Sequence, residues 1–369
     1  MKRLYITIPF LSCLLSALGH AHVITGDSTQ IDVSVGKDTE LRINNYTGDS
    51  VISVPDEYKQ VYVLGSAEIA PFSNTGRSLY VESDSSILVN GDVSSKILQA
   101  QVGVTNATID ITGNVTVSSM FAIAEPSNTV RIGGTLTING LNSFVENGSS
   151  VYAGGVQVTK ALNGVKIAGN IYTNSFVTSA ATTTLQSGSL LTHLNSDEDG
   201  NLLIKSGSTV SCAGTIELDT ELQGGTFSLD EAAIISALTM DKGTLKVLGD
   251  AQTGSLTLNA GNIIFSSGAT LDLNGAALIW GDSVSITLNV DDVNNISGNI
   301  ILFDNIAADS ILPENLTVNI ADKTTSKQLE VSLQNNAVVI PGTNTVPEPA
   351  TATLAMLGLA SLLFHRRRR

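Results

Sequence analysis

Residues 108–117 read TIDITGNVTV, and residues 129–138 read TVRIGGTLTI. In the first stretch Ile109, Ile111, Val115 and Val117 alternate with polar residues around Gly113. In the second, Val130, Ile132, Leu136 and Ile138 do the same around Gly134, 21 residues further on. Alternation of period two puts each apolar set on one face of a strand. The glycine takes an inward-parity position, where the chain can bend or pack closely. A third copy begins at Val151 and Ala153, then slips by one residue to Val156 and Val158 after Gly154-Gly155. A one-residue slip swaps faces, so a bulge or corner is expected there.

Looser copies follow at Val165, Ile167 and Ile171 around Gly169, at Leu202 and Ile204, and at Ile216 and Leu218 after Gly214. Short strands led by Gly243, Gly254, Gly261 and Gly268 come last. Glycine-punctuated strands recurring at about 20 residues describe a β-solenoid, in which each coil buries its apolar face only by stacking on its neighbours. Residues 91–275 would give on the order of nine coils. The competing architecture is a β-sandwich, which Asn139-Gly140 and Asn163-Gly164 keep open as hairpin turns.

The pattern resembles the passenger domains of autotransporter adhesins. That resemblance implies a right-handed parallel β-helix, although no membrane β-barrel follows the repeats. On this reading residues 22–90, with Pro55 and Pro71, form an N-terminal β cap over the open solenoid edge. Residues 276–340, with Trp280 and Pro313, form a C-terminal β cap, and 341–346 a linker.

The ends read as signals. Lys2 and Arg3 precede the apolar stretch Leu4 to Leu18, and Gly19 and Ala21 supply small residues before a cut after Ala21. Residues 1–21 are thus a secretory signal peptide. At the other end Pro347-Glu348-Pro349 precedes an apolar run, 350–364, and the basic block Arg366, Arg367, Arg368 and Arg369. As a helix that run reaches about 22 Å, a short transmembrane span that arginine snorkelling can lengthen. A plain tail anchor explains the span and the arginines. It does not explain the tripeptide.

The order of these parts over 347–369 resembles the PEP-CTERM sorting signal of Gram-negative bacteria. The resemblance implies export by the secretion translocon, an inner-membrane precursor, recognition by exosortase, and release to the cell surface or an extracellular matrix.

Composition narrows the body. The chain carries 34 acidic against 19 basic residues. Six of those basic residues (Lys2, Arg3 and the four terminal arginines) sit in the end signals, so the body is more acidic than the whole. Such a charge opposes binding to a phosphate backbone and argues against nucleic acid as a partner. With Cys13 in the signal peptide, Cys212 is left alone and no internal disulfide forms.

No residue set assembles into an active site. His193 has only ordinary serines near it in sequence, and Cys212 has no ligand cluster around it. Asp291-Asp292 is the nearest pair of carboxylates for glycoside hydrolysis, but it lacks the Gly-His-Gly and Arg-x-Lys neighbours of pectin-degrading β-helix hydrolases. Asp197, Asp199 and Asn201 resemble part of a calcium loop without its closing glutamate, since Ser206 stands at that offset. Ice binding on a β-helix needs a regular file of Thr-x-Thr on one flat face; Thr135-x-Thr137 and Thr182-x-Thr184 occur, but they do not recur coil after coil in the sequence. With aromatics at 5%, aromatic platforms for sugars are disfavoured. The expectation is a non-enzymatic surface or matrix protein, adhesin-like, needing no cofactor, with extracellular polysaccharide as a candidate partner. A carbohydrate-active β-helix enzyme and a glycan- or calcium-binding module are the alternatives.

Overall fold

In the computed structural model the chain is an all-β parallel solenoid of about 12 turns. The structure describes residues 32–35, 40–44 and 51–342, apart from 55, 57, 101–102, 141, 161–163, 196, 198, 293–295, 297, 314–315 and 323–324. The expected signal peptide with its expected cleavage residue Ala21, the sorting tripeptide, the arginine tail and the expected span 350–364 all lie outside the described residues. Among the described residues no helix is long and apolar enough to cross a membrane.

Each turn visits three parallel sheets in order, here called I, II and III. Sheet I starts at Glu40–Asn44, continues through Gln60–Leu64 and Ser78–Val81, and ends at Thr317–Ala321. Its inward file can be followed rung by rung. It runs Ile43, Val63, Val81, Ala100, Ile123, Val145, Ile167, then Leu185, Cys212, Leu229, Val247, Phe265, Leu288 and Ile320. Every one of these is buried. Unbroken apolar files of this kind replace the core that no single coil could bury. Cys212 serves there as a small hydrophobe.

The quoted repeat behaves as its alternation requires. Ile109 and Ile111 pair in parallel with Val130 and Ile132 on sheet II, and Val115 and Val117 pair with Leu136 and Ile138 on sheet III. The next coil shifts register between Ile132 and Thr135, where Gly155 meets Thr135. The double glycine is therefore the corner between sheets II and III. Parallel pairing also removes the sandwich. Asn139-Gly140 turns no hairpin; Gly140 is buried against the backbone of Ser119 in the preceding coil.

The parallel ladder reaches beyond 91–275 in both directions, so most of 40–90 and of 276–321 forms coils, not caps. Pro71 separates Ser66–Ile69 from Phe72–Ser73, where no ladder N–H is lost. Strand reversal marks the true ends. Asp32–Val35 lies antiparallel to Glu40–Asn44 at one end. At the other, Ser326–Glu330 folds back on Thr317–Ala321, while Ala337–Ile340 and Ser332–Gln334 close sheet II. Near the first end the buried Arg77 pins an irregular segment. Its Nε donates to the Tyr58 carbonyl at 3.2 Å, and Nη2 donates to the Val54 carbonyl at 3.2 Å and to Asp56 Oδ1 at 3.3 Å.

Candidate functional surfaces

A solenoid offers function through its outward files and its corners, so each outward column shows what the rod presents. Two columns carry aromatic stacks. On sheet I, Arg42 lies 4.7 Å over the Tyr62 ring, which stacks on Tyr80 at 4.7 Å. On sheet II, Asp110 pairs with Arg131 at 3.3 Å, Arg131 covers Tyr152 at 5.7 Å, and Tyr152 stacks on Tyr172 at 4.5 Å and 6°. Parallel register forces this face-to-face arrangement. It hides the ring faces against one another and leaves edges to solvent, so these tyrosines are not platforms for a sugar ring.

Corner carboxylates are engaged in a second kind of ladder. Asn90 Nδ2 donates to Glu68 at 2.6 Å, Asn106 to Asp84 at 2.9 Å and Asn114 to Asp92 at 3.2 Å. Asn259 donates to Asp241 at 2.8 Å, and Asn305 to Asp272 at 3.0 Å. In each pair the amide sits one coil above the acid. These five carboxylates are thus tied to coil stacking rather than gathered at one point. Among the described residues no group of three or more His, Cys, Asp or Glu side chains could hold a metal ion.

The residues singled out by sequence fall in separate places. Asp197 and Asp199 are exposed in the loop before Asn201, whose backbone N–H donates to the Asn174 carbonyl at 3.2 Å. Asp291 and Asp292 line an open recess of about 600 Å³ with Ser267, Thr270 and Asn299. His193 is half-buried, with Nε2 3.1 Å from the Glu217 carbonyl oxygen. Cys212 is in the core, its thiol pushed up to about 12 by burial, which keeps it protonated and unreactive.

One surface escaped the sequence altogether. Thr182-x-Thr184 recurs on sheet I as Thr209-x-Ser211 and Thr226-x-Ser228, and Thr244 extends its first file. Unequal coil lengths conceal the repeat, because these rungs are separated by 27, 17 and 18 residues. The only usable signal was the shared T-x-[ST] triplet, read without a fixed period.

Fold and surface define a parallel β-solenoid rod with polar outward files. The comparisons add its destination: residues 345–369 match the PEP-CTERM protein-sorting motif. The chain carries an exosortase sorting signal, and it is an exported protein sorted to the cell surface through the membrane. No curated protein and no solved structure matches it.

Proposed function

We propose that this chain is a non-catalytic structural or adhesin-like protein of a Gram-negative cell surface or extracellular matrix. It leaves the cytoplasm through the secretion translocon and waits in the inner membrane as a precursor. Exosortase then releases it near Pro347-Glu348-Pro349, and extracellular polysaccharide is its partner. One observation carries this reading: a sorting tail is joined to a rod on which stacked tyrosines and several outward acids are held by neighbouring coils. Such a body spans distance and displays side chains, and nothing in it needs a reacting centre.

The test is fractionation of expressing cells, followed by mass spectrometry of both ends of the mature protein. Expected are an N-terminus at His22 and a surface form lacking Arg366 to Arg369. Recovery of the intact arginine tail in the inner membrane alone would sink the exosortase step. Release of reducing ends from a polysaccharide panel by the purified protein would overturn the non-catalytic assignment.

A further inference from the structure

The rod is acidic overall, but its basic residues are gathered on one side. Among the described residues Arg131 is the one basic side chain on sheet II. All the others lie on sheet I or its capping strand, or in the corner leading from sheet III into sheet I. The concentration is greatest over five successive rungs of sheet I. There Lys166 precedes Thr184 in one outward file, and Lys246 follows Ser228 in the same file. Lys160, Lys205 and Lys242 stand exposed in the adjoining corner. The lysines thus belong to the first, third and fifth rungs, about 10 Å apart at the ~4.8 Å strand spacing.

Between them runs the hydroxyl array: Thr182, Thr209, Thr226 and Thr244 in one file, with Thr184 and Ser211 beside it and Ser228 buried next in that second file. Among the described residues of 160–264 three carboxylates border this face: Asp241, which accepts from Asn259, Glu221, which accepts from Gln223, and Asp230 just past Ser228. None of the five lysines takes part in the ion pairs found among the described residues. The acids of the same coils, such as Glu217, Asp219 and Asp250, lie around the rod on its other sides. Unpaired ammonium groups at a regular interval, with hydroxyls filling the space between, complement a polymer that alternates anionic groups with hydroxyls. No aromatic side chain points outward on these rungs, so the stacking that binds a single-stranded nucleic acid is missing.

We infer that sheet I between Lys160 and Lys246 binds an acidic, uronate-bearing polysaccharide laid along the rod. The inference rests on the proposed polysaccharide partner and gives that partner a site and a charge.

The test measures retention of the purified full chain on immobilised polygalacturonate, with neutral dextran, single-stranded DNA and phosphatidylglycerol vesicles as comparisons. The variant carries Lys160→Gln, Lys166→Gln, Lys205→Gln, Lys242→Gln and Lys246→Gln; the control carries Lys59→Gln, Lys96→Gln and Lys327→Gln. Melting temperature and circular dichroism verify that both fold. Expected is salt-sensitive binding to polygalacturonate, weakened about tenfold or more in the five-lysine variant and within about twofold in the control. Absent binding at low ionic strength, equal retention on dextran, or equal loss in both variants overturns the inference. Tighter binding to DNA or to the vesicles overturns the glycan assignment. Surface recovery without polygalacturonate binding refutes this site alone, whereas binding by a protein never found outside the membrane refutes the proposed destination.

Discussion

Substituting Gly225→Ala tests whether coil spacing, and not local turn geometry, fixes the glycines of this rod. Gly225 is buried at the entry to sheet I. A Cβ there would lie 2.7 Å from the Ser208 carbonyl oxygen, 2.8 Å from that of Lys205 and 2.9 Å from Ile204 Cγ2. Two of these three atoms are backbone of the preceding coil and cannot rotate away. Ordinary contact requires the coils to part by on the order of 0.5 Å, which strains the 2.9 Å bond from the Thr226 N–H to the Ser208 carbonyl. Overpacking of a filled interior costs about 1–3 kcal/mol, and the rigid neighbours argue for the upper half of that range. Gly188→Ala is the companion. A Cβ there meets nothing within 4 Å, but φ is +81°, so only the left-handed backbone term of about 1 kcal/mol remains. Denaturant unfolding should rank Gly225→Ala well below Gly188→Ala. Hydrogen exchange should show lost protection centred on Thr226 and fading within a coil or two, since each coil couples only to its neighbours. Equal stabilities with unchanged protection at Thr226 would refute the spacing argument.

Three other outcomes follow from the packing. Asn128 is buried, gives its Nδ2 to the Val104 carbonyl at 2.8 Å and to the Ala124 carbonyl, and accepts from the Ala107 N–H at 2.9 Å. Asn128→Leu leaves three backbone groups unpaired and should cost about 3 kcal/mol or more by denaturant unfolding. Thr178 and Thr183 point hydroxyls into the core without a partner, so Thr178→Val and Thr183→Val should each raise stability by about 1 kcal/mol, seen as a higher melting temperature. Cys212 links stability to alkaline pH. Its folded value, about 12, lies above the ordinary 9.0, so the folded state holds the proton more tightly. Stability is then intact below about pH 9 and falls between there and about pH 12, by up to about 1.4 kcal/mol per pH unit. Cys212→Ala should flatten that slope, and the native thiol should resist maleimide at pH 8.

The coils that could be read directly were those whose chemistry is local. Ile109, Ile111, Val115 and Val117 announce their faces by alternation, and their partners 21 residues later repeat it without a break. The ends were misjudged because prolines and a tryptophan interrupt the pattern visually while the ladder continues past them. Trp280 occupies an ordinary rung of sheet III, packing edge-on against Phe303 at 6.0 Å. Corner contacts were invisible for another reason. The Asn–carboxylate pairs join residues 18 to 33 positions apart, and nothing in either partner's neighbourhood names the other.

Coil length is also why the lysine and hydroxyl face could not be read from the chain. Turns after sheet II differ in length, as between Ile111 and Val115 and between Thr192 and Asn201, and leave the register of the rungs untouched. That freedom lets sequence spacing drift while spatial spacing stays at one strand per rung. A periodic surface can therefore be written in an aperiodic sequence. Net charge misleads in the same way: the excess of acids argued against a phosphate backbone, yet the register sends most basic residues to one side and most acids to the others. What a ligand meets is the local face, with five lysines against Asp241, Glu221 and Asp230, and at physiological salt charges more than about 8 Å away are largely screened. The charge argument applies to the acid-bearing sheets II and III, and it does not extend to sheet I.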